Sequence, residues 1–395
     1  MAEYYCDGQA GAPVVVLLGS LGTTGAVWEA QLLALRPWLA VMRVEHPGHG
    51  GAVAAPPGTG SVAALGQRVL DLMDEAGVAR AHIAGLSLGG LIAMWLAAHH
   101  PSRVNHLVVS CSTGRFGSPE TYLQRAAAVR ADGTAPLVAG ALSRWFTPPF
   151  AARQADLVAA FAKDLAEVSR DGYAYCCEAV AGADLSPDMD RIEAPTLVIG
   201  GGLDPVVPPL LVAETASKIP GAGLVVVPES AHLVNVEQPG AFNDALLGHL
   251  VGSPVARGLR VRREVLGDAH VERALARQTS LSAGFQDLLN RWPWGEVWAR
   301  PGLERRTRRL LVIAMLAALG HHHELEMHVR AARRDGTTDR ELEEVLLMTA
   351  VYAGVPAANA AFAIADRVVG ERCEPSETPA GPGLSLPDRD APGPQ

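Results

Sequence analysis

At 395 residues, 49% of them hydrophobic, with a formal net charge of −9, the chain is too long for one ordinary core, too apolar for disorder and too acidic for a nucleic-acid partner. No N-terminal stretch combines a basic start, an apolar core and a cleavage site, and no apolar run reaches bilayer length, so a cytoplasmic chain with no membrane partner is expected. The five cysteines, Cys6, Cys111, Cys176, Cys177 and Cys373, lack zinc or disulfide spacing and read as reduced thiols, with Cys176 and Cys177 as packing residues.

In chain order, the first long strand is Val14–Leu18, followed by the loop Gly19-Ser20-Leu21-Gly22-Thr23-Thr24, where Gly22 permits a turn that aims the Leu21 amide inward. A second strand, 41–45, leads to Gly48-His49-Gly50; His46 and His49 read as loop-structuring groups. The apolar run 82–86 then enters Gly85-Leu86-Ser87-Leu88-Gly89, and a helix follows over 90–98. A serine on such a strand-to-helix turn needs small neighbours at Gly85 and Gly89, and the amides of Leu88 and Leu21 would form the oxyanion hole. Residues 118–183 are helix-rich, interrupted by Phe146-Thr147-Pro148-Pro149, and read as a lid. Two later strands, 196–200 and 224–227, run into loops carrying Asp204 and His232. Alone, Asp204 is a turn-former before Pro205 and His232 a surface histidine. Ser87, Asp204 and His232, each after a strand and in that chain order, instead follow the α/β-hydrolase pattern, with residues 1–252 as the domain.

Four segments, Leu21-Gly22-Thr23-Thr24, Gly48-His49-Gly50, Gly85-Leu86-Ser87-Leu88-Gly89-Gly90 and Ala231-His232-Leu233-Val234-Asn235-Val236-Glu237-Gln238-Pro239, together resemble the 3-oxoadipate enol-lactone hydrolases. Only residues 4–8 precede the first long strand, so the resemblance predicts a shortened N-terminal hairpin and a missing sheet edge. It implies a lactone substrate with an acetate arm, for which Arg144 and Trp145 of the lid are the candidate contacts.

Beyond residue 252 the pattern changes to helices only, after a Gly/Pro-punctuated linker at 253–260. Residues 310–319 are apolar nearly all round and read as a buried core helix. A helix over 321–334 stops at Asp335-Gly336, Thr338-Asp339-Arg340-Glu341 reads as a capping box, and Pro356 starts the last helix. Residues 261–372 form this all-α domain, and 373–395, rich in Pro, Gly, Ser and Asp, a disordered tail.

Arg262-Arg263-Glu264-Val265-Leu266-Gly267-Asp268, Trp294-Gly295-Glu296-Val297-Trp298-Ala299-Arg300-Pro301-Gly302-Leu303 and Gly354-Val355-Pro356-Ala357-Ala358-Asn359 resemble the 4-carboxymuconolactone decarboxylases, of the alkylhydroperoxidase-like superfamily. Where redox members of that superfamily carry two cysteines and a histidine, this chain has His321, Glu324 and His328, so dithiol chemistry is excluded while acid/base chemistry remains. The resemblance implies catalysis by His328, with Glu324 or Glu296 orienting it or holding the transferred proton, and with Arg305 or Arg306 meeting a carboxylate. Consecutive His321-His322-His323 point in different directions on a helix, so no metal is expected. The departing electrons can delocalise into the lactone carbonyl, so no cofactor is expected either.

One resembling enzyme makes the substrate of the other, which implies a fused pair in protocatechuate breakdown, taking small lactones and self-associating through the helical domain. The competing reading is a general esterase or cofactor-free haloperoxidase-type α/β-hydrolase carrying a non-catalytic oligomerisation domain.

Overall fold

The computed structural model describes residues 4–7, 11–52 and 58–371. The expected tail, Arg372, Cys373 and Gly8 lie outside them. The chain divides into two compact units, residues 1–262 with 273–303, and residues 263–272 with those from 304 onward.

The first unit is built on a seven-stranded sheet: β1 (Tyr4–Asp7), β2 (Val14–Leu18), β3 (Ala40–Val44), β4 (Ala81–Leu86), β5 (Val104–Ser110), β6 (Thr196–Gly201) and β7 (Gly223–Val227), in the order β1-β3-β2-β4-β5-β6-β7. All neighbours are parallel except β1 and β3. Alternation of side chains sorts each strand between two cores. Val16, Leu18, Ile83 and Val109 pack on one face, with the helices Val62–Glu75 and Leu88–His99. Val15, Leu17, Ala84 and Val108 pack on the other, with Trp28, Leu32 and Phe242. Both faces are covered over the central strands β2, β4, β5 and β6, so these are mostly buried, largely apolar runs. Each fully buried leucine contributes about 1.5–3 kcal/mol.

The sheet edge expected to be missing is present. Tyr4, Tyr5, Cys6 and Asp7 pair antiparallel with Val44, Arg43, Met42 and Val41. Four residues of mixed polarity carry no readable period, and what holds them is tertiary: Arg43 lies 5.5 Å over the Tyr5 ring and 3.5 Å from Asp7, and Arg36 lies 3.0 Å from Asp7.

Between β5 and β6 the chain leaves the sheet for five helices, Pro119–Asp132, Val138–Trp145, Pro148–Arg153, Ala155–Glu167 and Arg170–Ala181. Ser118 caps the first, its hydroxyl accepting from the Thr121 amide at 3.3 Å, and Phe146-Thr147 separate the second from the third. Cys176 and Cys177 are fully buried on the last helix.

The segment read as a linker is not a loop: Pro254–Leu266 is one helix. Gly258 reads as a break in sequence, but the position is needed for close approach, since a Cβ there would sit 1.7 Å from the Asn290 carbonyl oxygen. Arg257 stacks 4.0 Å over Trp38 and donates to the Gly295 carbonyl at 2.8 Å.

In the second unit, the helices Arg305–Leu319, His322–Arg334, Asp339–Ala353 and Val355–Gly370 enclose a core of Ile313, Ala317, Leu325, Val329, Leu342, Leu346 and Ile364. Gly320 ends the first helix in the left-handed conformation (φ 71°). Thr338 and Glu341 form the capping box, the Thr338 amide donating to Glu341 at 2.8 Å and the Glu341 amide to the Thr338 hydroxyl at 3.3 Å. The first helix corrects the expectation of a buried one. Ile313 and Ala317 face the core, whereas Leu311, Met315 and Leu319, four apart on one stripe, stay 45%, 54% and 69% exposed.

Candidate active site

β4 ends at Leu86 and the next helix begins at Leu88, which leaves Ser87 alone on the turn with φ 57° and ψ −113°. That left-handed φ is costly for a residue with a Cβ. The tight turn tolerates nothing larger than glycine on either side: a Cβ on Gly85 would meet the Gly89 carbonyl at 2.1 Å, and one on Gly89 the Leu18 carbonyl at 2.1 Å.

The strand ends bring the other two residues in. Asp204 follows β6, and its Oδ1 accepts from the Val206 and Val207 amides at 2.8 and 3.1 Å. His232 follows β7; its Nδ1 lies 2.8 Å from Asp204 Oδ2 and its Nε2 2.9 Å from Ser87 Oγ. With the carboxylate fixing the proton on Nδ1, Nε2 is left as the acceptor for the serine proton. All three residues are buried. The Sγ of Cys111 lies within 4.8 Å of both Asp204 and His232, and burial pushes that thiol well above its usual range, so it sits there uncharged.

Leu21 and Leu88 line the same pocket as Ser87 and His232, and among the described residues no hydrogen bond engages either amide. The Leu21 loop is set by Gly22, whose φ is 84° and whose amide donates to His49 Nε2 at 3.0 Å. His49 Nδ1 in turn lies 2.9 Å from the Pro47 carbonyl, and His46 Nε2 2.8 Å from the Gly19 carbonyl. Burial drives His46 down to about 4 and His49 to about 3, so both are neutral struts.

The lid helices bring Arg144 and Trp145 to the pocket wall, together with three residues the sequence did not single out: Arg125, Tyr122 and Tyr173. Neither guanidinium faces a carboxylate among the described residues. Arg125 lies 5.0 Å over the Tyr122 ring and close enough to Tyr173 to favour its phenolate, and burial together with the charge of Arg125 lowers the pKa of Arg144. Two half-buried cations in one pocket could hold an anion. In sequence, Arg125 reads as an ordinary solvated helix-face residue.

In the second unit His328 is buried on the His322–Arg334 helix, and burial, then Arg309 and His270, push it down to about 4, against the opposing charge of Glu324. Glu324 itself is exposed. Glu296 belongs to the other unit and pairs with Arg257 at 3.1 Å. Arg305 and Arg306 are also engaged, with Glu264 at 2.6 Å and with Glu341. The buried cation beside His328 is instead Arg309, whose guanidinium donates to the Ala331 and Val265 carbonyls and pairs with Asp335. In sequence Arg309 is one of four arginines around a helix start, and nothing local distinguishes it.

Comparison with known proteins finds two families on separate parts of the chain. The family model for the alpha/beta hydrolase fold matches residues 13–239, and that for the Carboxymuconolactone decarboxylase family matches residues 283–367. A 3-oxoadipate enol-lactonase of Acinetobacter baylyi is 37% identical over 244 residues, 62% of this chain and 91% of that protein. A 4-carboxymuconolactone decarboxylase of the same organism is 50% identical over 112 residues, 28% of this chain and 84% of that protein. The crystal structure of the enol-lactonase from Burkholderia xenovorans matches with a TM-score of 0.61 at 36% identity, covering 63% of this chain and 95% of that one. The chain therefore belongs to the α/β-hydrolase fold family over its N-terminal part and to the carboxymuconolactone decarboxylase family over its C-terminal part.

Proposed function

We propose that the chain is a bifunctional enzyme of the β-ketoadipate pathway, a carboxy-lyase that converts 4-carboxymuconolactone to 3-oxoadipate enol-lactone and a hydrolase that opens the enol-lactone to 3-oxoadipate. The observation that carries it is the pairing, on one chain, of an assembled Ser87–His232–Asp204 relay with a region half identical to a decarboxylase that acts on the preceding lactone.

In the hydrolase, His232 takes the Ser87 proton as Oγ attacks the lactone carbonyl, and the Leu21 and Leu88 amides hold the oxyanion. Collapse of the tetrahedral intermediate expels an enol, which becomes a ketone and makes ring opening hard to reverse. Water activated by His232 then releases the acid. Arg125 and Arg144 meet the acetate arm, and Trp145 walls the ring. In the decarboxylase, the electrons of the departing carboxylate enter the lactone carbonyl, Arg309 offsets the negative charge of the substrate, and His328 moves the proton, with Glu324 beside it one helical turn away.

Leu311, Met315 and Leu319, with exposed Leu347, Val351 and Tyr352 on the third helix, support self-association through the second unit, since a single chain leaves this apolar surface in water. Four thiols described as free support a reducing, cytoplasmic setting. Among the described residues no helix is long and apolar enough to cross a membrane.

The deciding experiment is product analysis after feeding 4-carboxymuconolactone. Wild type should release carbon dioxide and 3-oxoadipate, and Ser87→Ala should release carbon dioxide and stop at the enol-lactone. Full conversion by Ser87→Ala would end the hydrolase assignment, and absence of carbon dioxide from both would end the decarboxylase assignment.

A further inference from the structure

A second cavity of about 500 Å³ lies in the first unit, at the opposite end of the strands from Ser87. His82 is the second residue of β4, and Ser87 follows that strand's last residue, so the two are separated by roughly 16 Å of extended chain. The cavity is within the size range of small-molecule sites, and among the described residues none that line it is acidic.

Its polar wall is unusual. His82, His106 and His249 come from β4, β5 and the helix Pro239–Leu250, with ring centroids 4.9 Å apart for the first two and 5.3 Å for the last two. His82 is 7% exposed, and burial and its neighbours push it down to about 4, so it is neutral at pH 7. Among the described residues the Nδ1 atoms of His82 and His106 have no hydrogen-bond partner, whereas His249 Nε2 lies 3.0 Å from the Pro195 carbonyl. Buried polar atoms without partners are rare in folded proteins. Arg257 and Arg260 line the same space and repel one another; Arg257 also pairs with Glu296.

Three imidazoles invite a metal, but the arrangement opposes one. Among the described residues, the only His/Cys/Asp/Glu group whose ligand atoms converge is that of Cys111, Asp204 and His232. The charged residues that line the cavity are arginines, Arg257 paired with Glu296 outside the lining, and arginines disfavour a cation and favour an anion. Trp38, Leu39 and Leu250 add apolar walls, which suit a molecule with a carbon body more than inorganic phosphate.

We propose that this cavity binds a small organic carboxylate, with Arg257 and Arg260 meeting the acid group, His82 and His106 donating ring N–H groups, and Trp38 and Leu250 covering the carbon chain. The site is separate from the catalytic pocket and does not depend on the reaction assigned to it.

Calorimetric titration of the full chain with adipate tests this, using Arg144→Leu as background to silence the catalytic anion site. A saturable heat with one site per chain is expected, weakened at least tenfold when Arg260→Ala or His106→Leu is added. Phosphate should bind at least tenfold more weakly than adipate. Rates of enol-lactone hydrolysis equal to wild type in the Arg260→Ala and His106→Leu single variants would show that both fold; if His106→Leu does not, exposed Arg260 decides alone. Absence of heat in the Arg144→Leu background, an affinity indifferent to Arg260→Ala, or phosphate binding as tight as adipate would each overturn the proposal.

Discussion

Thr147 and Glu237 join the segment 118–183 to the loop of His232: the amide and the hydroxyl of Thr147 both donate to one oxygen of Glu237, at 2.8 and 2.7 Å. The other oxygen accepts from the Ala231 amide, next to His232. Backbone bonds run alongside, from the His232 amide to the Arg144 carbonyl at 3.4 Å and from Leu233 to Trp145 at 3.0 Å. The residues that wall the pocket and His232 are thus tied together by one buried carboxylate and two backbone bonds. Glu237→Ala should lower kcat for enol-lactone hydrolysis at least tenfold and cost about 1–3 kcal/mol of stability. Thr147→Val should give a smaller loss of the same kind. A double-mutant cycle measures the coupling, and strictly additive effects on kcat would show that the bond does not position His232.

Arg125 and Arg144 share the pocket, and among the described residues no carboxylate neutralises them. Arg144→Leu and Arg125→Leu should each raise KM for the enol-lactone about tenfold or more, while hydrolysis of a small uncharged ester stays within a few-fold of wild type. Equal losses on both substrates would mean that the arginines shape the lid and do not read the acid.

The decarboxylase half predicts a split between two buried residues. His328→Ala should abolish carbon dioxide release while leaving lactone hydrolysis, which belongs to the other unit, close to wild type. Arg309→Leu should lower both decarboxylation and the stability of the second unit, since Asp335 and the carbonyls of Ala331 and Val265 lose their donor. Carbon dioxide release that persists in His328→Ala would transfer the proton step to another group.

Stability should fall as the solution is acidified through the range below about 6.5. His46, His82 and His328 are held to about 4, and His49 to about 3, all by burial first. Above the unfolded histidine pKa both states are neutral and these groups make no difference; between that value and the folded one only the unfolded chain takes up protons, so folding weakens as pH drops. A tenfold difference in proton affinity between the two states is worth about 1.4 kcal/mol. Urea unfolding at pH 7.5 and pH 5 should show a lower midpoint at pH 5, and His49→Gln should reduce the difference. A midpoint unchanged between the two pH values would show that these imidazoles are solvated in solution.

Much of the first site was legible because its residues are tied to strand ends. Gly85 and Gly89 permit the turn at Ser87, and Asp204 and His232 each follow an apolar run that can only be a strand, so local chemistry and chain order sufficed. Arg125 and Arg309 were not legible. Each lies on a helix among other charged residues, and whether such a side chain faces water or a pocket depends on what packs against that helix. The β1 strand was missed for the same reason, because its pairing with β3 rests on Arg36 and Arg43 and not on a pattern within its four residues.

By itself the amino-acid order determined that there are two kinds of architecture, that Ser87 stands on a strand-to-helix turn, and that Asp204 and His232 each follow a strand. Hydrophobic period, glycine turns and the sequence of strand ends are local properties, and local properties survive being read along a line. Only tertiary structure decided which arginines became buried, that Gly258 marks a close helix contact, and that Leu311, Met315 and Leu319 are left facing outward. Burial belongs to pairs of surfaces far apart in the chain, and it sets both the charge state of a histidine and the reach of a cation.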